Sequence, residues 1–203
     1  MWQKSLVSLL VLLIAVFGIY GLAKRRSVRN MASKIQTVAA DAAETQTNPT
    51  AAEFAAGTWI NSEPLTLKSL RGRVVLIEFW TFGCYNCRNT LPFVKRWHES
   101  YSDKGLTIVG VHSPEFAGER NIDNVRREVG SLGIKYPVVT DNDYETWKAY
   151  NVEAWPTLFV LDKTGRVRWT HVGEGSYDVA EQIIQKLLTE AGKESDASQS
   201  LPR

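Results

Sequence analysis

Residues 74–87 read VVLIEFWTFGCYNC, and no other stretch limits the fold of this chain so strongly. Val74 to Trp80 is β-branched, aromatic and apolar apart from Glu78, the pattern of a strand covered on both faces of a sheet. Leu91, Val94, Trp97 and Tyr101 then recur at helical spacing and predict a helix over 85–101, with a kink at Pro92. Cys84 and Cys87 fall at the junction, where a buried strand hands over to a helix. Unpaired N–H groups and the partial positive charge of a helix start favour a thiolate at that point. The thiol of Cys84 is therefore expected to be accessible, with a pKa below the free-cysteine value of about 8.5. Cys87, one turn further in, is placed to attack a mixed disulfide formed on Cys84. Two other readings of the pair are unrelated core cysteines and metal binding by the same two sulfurs.

The rest of the chain supplies the partners such a strand needs. Short strands are predicted over 58–61 and 64–67, a second buried strand over 106–112, and further strands over 137–140, 157–162 and 167–171. Helices are predicted over 121–132, 144–150 and 177–188. Strands alternating with helices, then a hairpin and a last helix, give an α/β architecture: a mixed central sheet with helices on both faces behind a short β prelude.

Composition narrows the function. Of 203 residues, only 2 are cysteines and 3 are histidines, His98, His112 and His171, with no paired spacing. A multi-disulfide scaffold is excluded, and a four-ligand structural zinc site is disfavoured. A net charge of +2 gives no basic face of the kind that nucleic acid demands, and none is expected as a partner.

Residues 5–23, SLVSLLVLLIAVFGIYGLA, carry no charge. As a helix they would span roughly 28 Å, close to a hydrocarbon core of about 30 Å. Two readings compete: an uncleaved membrane anchor, which is preferred, and a signal peptide cut after Ala23. Lys24, Arg25, Arg26 and Arg29 outnumber Lys4 across the run, and that balance places the following domain on the cytoplasmic side. Residues 24–56, rich in Ala, Thr, Gln and Asn, are expected to be a flexible tether. Roughly 140 residues remain for one domain, 57–191, with residues 192–203 as a disordered tail.

The stretch FWTFGCYNCRNTLPFVKRWHE resembles the thioredoxin-like domains of the DipZ and TlpA group, which includes tethered extracytoplasmic reductases such as ResA and CcmG. The likeness continues through IVGVHSPEF, NVRREV, YPVVTDNDYETWKAY, AWPTLFVLDKTGRVR and GEGSYD, covering roughly residues 57–188. It implies the thioredoxin fold, thiol–disulfide exchange through Cys84 and Cys87, and protein thiols or disulfides as substrates. It further implies a membrane electron donor of the CcdA or DsbD type, no cofactor, no metal, and a soluble domain outside the cytoplasm. The charge balance around the anchor points to the opposite side.

Three residues carry over from the resemblance. Glu78 stands where such domains hold a buried acid able to exchange a proton with Cys87, the other reading being an edge-facing surface glutamate. Pro156 matches a cis-proline facing the cysteines, the other reading being a trans turn proline. Trp80 matches an aromatic packed beneath the site. Tyr85 and Asn86 between the cysteines depart from the group's usual pair, and Trp155 is bulky enough to shape a substrate groove or to sit in the core. His112 is expected to be structural.

Reduction is the preferred direction, because a buried acid suits proton removal from Cys87. Disulfide oxidation and isomerisation use the same residues. A copper chaperone of the Sco kind, with help from His112 or His171, and a peroxiredoxin-type peroxidase are the remaining alternatives. The peroxidase lacks its Pro- and Thr-containing loop.

Overall fold

The computed structural model of the protein describes residues 48–199. The predicted anchor and most of the predicted tether lie outside the described residues. Six strands form one sheet in the order β1-β4-β3-β2-β5-β6: β1 (Trp59–Ile60), β2 (Val74–Trp80), β3 (Leu106–His112), β4 (Val138–Thr140), β5 (Thr157–Leu161) and β6 (Val167–Val172). β2 runs parallel to β3, and β3 to β4, while β1, β5 and β6 are antiparallel to their neighbours. The parallel pairs need crossovers, and helices α1 (Tyr85–Tyr101) and α2 (Ile122–Ser131) supply them. α3 (Glu145–Ala149) and α4 (Tyr177–Gln199) complete the order. This is the predicted α/β architecture, a thioredoxin-like fold.

All seven residues of β2 are buried, and side-chain alternation sends them to two cores. Val74, Leu76 and Trp80 face Cys87, Leu91, Val94 and Trp97 of α1, with Val125 of α2 and Ile184 of α4 in the same core. Glu78, by the same alternation, shares that face. Val75, Ile77 and Phe79 face the other way, where Phe79 meets Trp147, Tyr150 and Phe159 at ring separations of 6.1, 5.3 and 5.8 Å. Each large apolar side chain removed from water here is worth about 1.5–3 kcal/mol.

Three elements differ from the sequence reading. Residues 64–67 form no strand: the chain turns at Leu67, whose N–H donates to Glu53, and Thr66 and Ser69 bond each other's backbone N–H groups. α4 runs on to Gln199, past the predicted end at residue 188 and into the stretch read as a disordered tail, because nothing from 188 onward is a helix-breaking proline before residue 202.

The third difference is at the domain's start, where the segment before residue 57 is docked. Ala51, Ala52 and Phe54 pack on the second core, and Phe54 meets Trp59 edge-on at 5.7 Å. Ala51 N–H donates to the Gly165 carbonyl at 3.0 Å, and the Tyr150 hydroxyl donates to the Ala52 carbonyl at 2.7 Å. One phenylalanine among alanines reads as polar linker, yet it has a pocket to fill.

Candidate active site

The site lies where β2 and β3 end and β5 begins. Cys84 is the N-cap of α1, with extended backbone (φ −73°, ψ 120°), and its Sγ accepts the N–H of Cys87 at 3.1 Å. The two sulfurs are joined as a disulfide. Cys84 is half-buried, whereas Cys87 is 2 % exposed and packs in the core. No acidic side chain sits in the first turn of α1, so the positive end of the helix is left to the sulfur. Arg88 donates from Nε to the Phe82 carbonyl at 2.9 Å and braces the loop from outside. Tyr85 and Asn86 are exposed, Tyr85 by 76 %.

The Trp155–Pro156 bond is cis. β2 and β5 pair Phe79 with Thr157, so their antiparallel register brings Pro156 beside Trp80, at the same sheet end as the cysteines. The Pro156 carbonyl accepts the Gly173 N–H at 2.7 Å. Trp155 is half-buried, 4.4 Å from Trp147 between ring centres, and its indole N–H is buried without a partner.

Glu78 is fully buried, which removes the reading of an edge-facing surface residue. One carboxylate oxygen accepts the Tyr136 hydroxyl at 2.8 Å, and the other has no partner. Burial pushes its pKa up to about 7, against the smaller opposing effect of the Tyr136 hydrogen bond. An acid so placed can hold or release a proton near neutrality. The Trp80 indole N–H is likewise buried and unpartnered.

His112 is wholly buried at the end of β3, stacked on Phe82 at 5.5 Å and edge-on to Trp80 at 5.3 Å. Burial pushes its pKa down to about 4, so the ring is neutral at ordinary pH. Its Nε2 lies 3.2 Å from Thr81 Oγ1. The Thr81 hydroxyl bonds the Glu119 carboxylate, which can only accept.

Sequence reasoning missed Glu119. It is 2 % exposed, and its carboxylate accepts the N–H groups of Gly83 at 2.9 Å, Glu115 at 2.6 Å and Phe116 at 3.0 Å. Burial alone would raise its pKa; the hydrogen bonds from Phe116, Thr81, Glu115 and Gly83 outweigh it and hold the carboxyl below its usual value. A side chain on Gly83 would collide with the Glu119 carboxylate, which explains the glycine before Cys84. Tyr136 and Thr81 were also missed, since neither has a spacing that links it to the cysteines. Among the described residues no group of three or more His, Cys, Asp and Glu side chains could hold a metal ion. His171, weighed for a copper site, stacks on Trp169 at 5.5 Å.

The sequence profile of the Redoxin family matches residues 44–188. Protein DipZ of Mycobacterium tuberculosis is 45 % identical over 136 residues, covering 66 % of this chain and 20 % of the relative. The chain thus spans a fifth of the length of the DipZ proteins it matches. Thiol-disulfide oxidoreductase YkuV of Bacillus subtilis is 26 % identical over 132 residues, covering 65 % of this chain and 88 % of the relative. The crystal structure of a thiol-disulfide isomerase from Corynebacterium glutamicum superposes with a TM-score of 0.65 at 27 % identity, covering 70 % of this chain and 97 % of the other.

Proposed function

This chain belongs to the redoxin family, as a thiol-disulfide oxidoreductase with a thioredoxin-like domain of the TlpA/ResA type, and from that premise we propose that it reduces disulfides in polypeptides outside the cytoplasm. The observation that supports this reading is the Cys84–Cys87 pair at the start of α1, backed by the fully buried Glu78, whose pKa of about 7 suits it to exchange a proton with Cys87 during the reaction.

In the reduced protein the Cys84 thiolate attacks one sulfur of a substrate disulfide. A Cys84–substrate disulfide forms, and the first substrate sulfur leaves as a thiolate that takes a proton from water. Glu78 accepts the Cys87 proton. The Cys87 thiolate attacks Cys84, the Cys84–Cys87 disulfide closes, and the second substrate sulfur leaves. Two electrons have passed to the substrate, and a dithiol donor must return two to the protein. A membrane donor of the CcdA or DsbD type fits that requirement.

Tyr85 and Asn86, exposed beside Cys84, and the half-buried Trp155 before the cis-Pro156 are the side chains offered to substrate, with Trp80 packed beneath. Residues 5–23 serve as a membrane anchor, with residues 24–47 as the tether to the domain.

The reduction potential of the Cys84–Cys87 couple tests this reading. Equilibration of the full chain with dithiothreitol buffers should give a value near or below thioredoxin's, about −270 mV. A value near that of DsbA, about −120 mV, would make the protein an oxidant instead.

A further inference from the structure

Two large apolar side chains that sulfur exchange does not itself require stand exposed next to the Gly83–Cys84 stretch. Tyr85, at the start of α1, is 76 % exposed, and Phe116, on the loop after β3, is 60 % exposed. Both are well above the exposure expected of rings with a core to join. The two come from different elements: Tyr85 follows Cys84 directly, and Phe116 reaches the residue before it. A Cβ on Gly83, the residue before Cys84, would lie 3.7 Å from Phe116 Cδ2.

Phe116 is carried on a built support. Its N–H donates to Glu119 at 3.0 Å, and the same buried carboxylate takes the Gly83 N–H at 2.9 Å. One charged group thus ties the backbone beneath Phe116 to the backbone beside Cys84. The Tyr144 hydroxyl bonds the Pro114 carbonyl and holds the loop from its other end. The same Phe116 N–H to Glu119 bond caps the turn Ala117–Arg120 that follows. A phenylalanine held open to water on so fixed a base, next to a reactive atom, marks an interaction surface.

We propose that Phe116, with Tyr85, forms an apolar wall that recognises a polypeptide disulfide by an apolar side chain next to the substrate cysteine. This rests on the oxidoreductase reading and names its substrate class. The reaction brings a polypeptide cysteine to Cys84. Forming the mixed disulfide brings the substrate sulfur to about 2 Å from Cys84. Extended chain advances about 3.3 Å per residue. A side chain beside the substrate cysteine that runs toward Gly83 would come within reach of Phe116, whose ring lies next to that glycine, and of Tyr85, the neighbour of Cys84. Glu119 is a positioning residue: it touches no substrate and sets where Phe116 stands.

The test uses the reduced full-length chain and two disulfide-linked peptides that differ only in the residue after the cysteine, leucine in one and serine in the other. The wild-type protein should reduce the leucine peptide about tenfold faster, the effect of roughly one apolar contact removed from water. Phe116→Ser should bring the ratio close to one, and Phe116→Leu should retain most of it. Glu119→Gln should lower the ratio in part, by freeing the loop while leaving both rings present. Equal rates for the two peptides in the wild type, or an undiminished preference in Phe116→Ser, would overturn the wall and leave the oxidoreductase reading standing. Reduction of neither peptide by the wild type would overturn both.

Discussion

The Tyr136 hydroxyl reaches Glu78 across 2.8 Å, in a core where neither side chain is exposed. Glu78 is in β2 and pairs with Gly110 of β3, which in turn pairs with Val138 at the start of β4. Tyr136 precedes β4 and has to cross β3 to make the bond. It can because residue 110 is glycine: a Cβ there would stand 3.2 Å from Tyr136 Cε2 and 2.8 Å from Trp80 Nε1.

Tyr136→Phe removes the hydroxyl that favours the charged form of Glu78. The Glu78 pKa should rise above about 7, because burial then acts unopposed. The pH profile of disulfide reduction should shift upward by roughly one unit, and stability should fall by about 1–3 kcal/mol for the lost buried bond. An unshifted profile in a folded variant would mean that Glu78 takes no part in proton transfer.

Glu78→Gln tests the acid directly through pH-dependent stability. The folded pKa of about 7 is raised from 4.5, so the contribution of Glu78 is fully present below pH 4.5 and is lost as pH rises through about 7. The wild type should lose about 3 kcal/mol relative to Glu78→Gln across that window. Urea denaturation of both proteins at several pH values measures it. Parallel curves would show a group that titrates normally.

His112 has the opposite sign. Its folded pKa of about 4 is depressed from 6.5, so its contribution is present above pH 6.5 and lost as pH falls through about 4. His112→Asn should remove an acid-limb loss of about 3 kcal/mol, whatever it costs in packing near neutrality. Acid titration of both proteins by circular dichroism checks this, and an unchanged acid limb would contradict the burial of a neutral ring.

Cys87→Ser should stop the reaction after the first attack. With Cys84 intact and no second thiol, a Cys84–substrate mixed disulfide should accumulate, visible by mass spectrometry and cleared by dithiothreitol. Cys84→Ser should give no adduct. Adducts on Cys87 in the Cys84→Ser protein would reverse the assignment of nucleophile and resolving thiol, against a Cys87 that is 2 % exposed.

The strands and the redox pair were legible because each rests on local pattern. VVLIEFW is apolar on both faces, and the two cysteines stand at its junction with a helix. Glu78 was legible as the one charge inside that run. Glu119 was not, since its role depends on a chain reversal that brings Gly83, Glu115 and Phe116 around one carboxylate. Tyr136 was hidden for a similar reason: it acts across a strand, 58 positions from its partner. The expected strand at residues 64–67 failed because its alternation is only local, and its N–H groups found side chains instead of a strand edge.

The docked segment before residue 57 yields the last prediction. Its composition gave no periodicity, but its backbone is engaged along its length. Val167 N–H donates to the Pro49 carbonyl at 2.9 Å, Thr50 bridges to Arg166, and Ala55 N–H donates to Thr146 Oγ1 at 3.1 Å. Glu53 accepts the Leu67 N–H at 3.1 Å, and Phe54 covers the core beside Trp59. A chain starting at residue 57 loses all of this and uncovers apolar surface around Tyr150 and Trp147. Each net hydrogen bond contributes about 1 kcal/mol, and the partly buried phenylalanine about as much again. The shortened domain should therefore be about 3 kcal/mol or more less stable in urea than one starting at residue 48, with Phe54→Ala accounting for about 1–2 kcal/mol of the difference. Equal midpoints for the two lengths would return residues 48–56 to the tether.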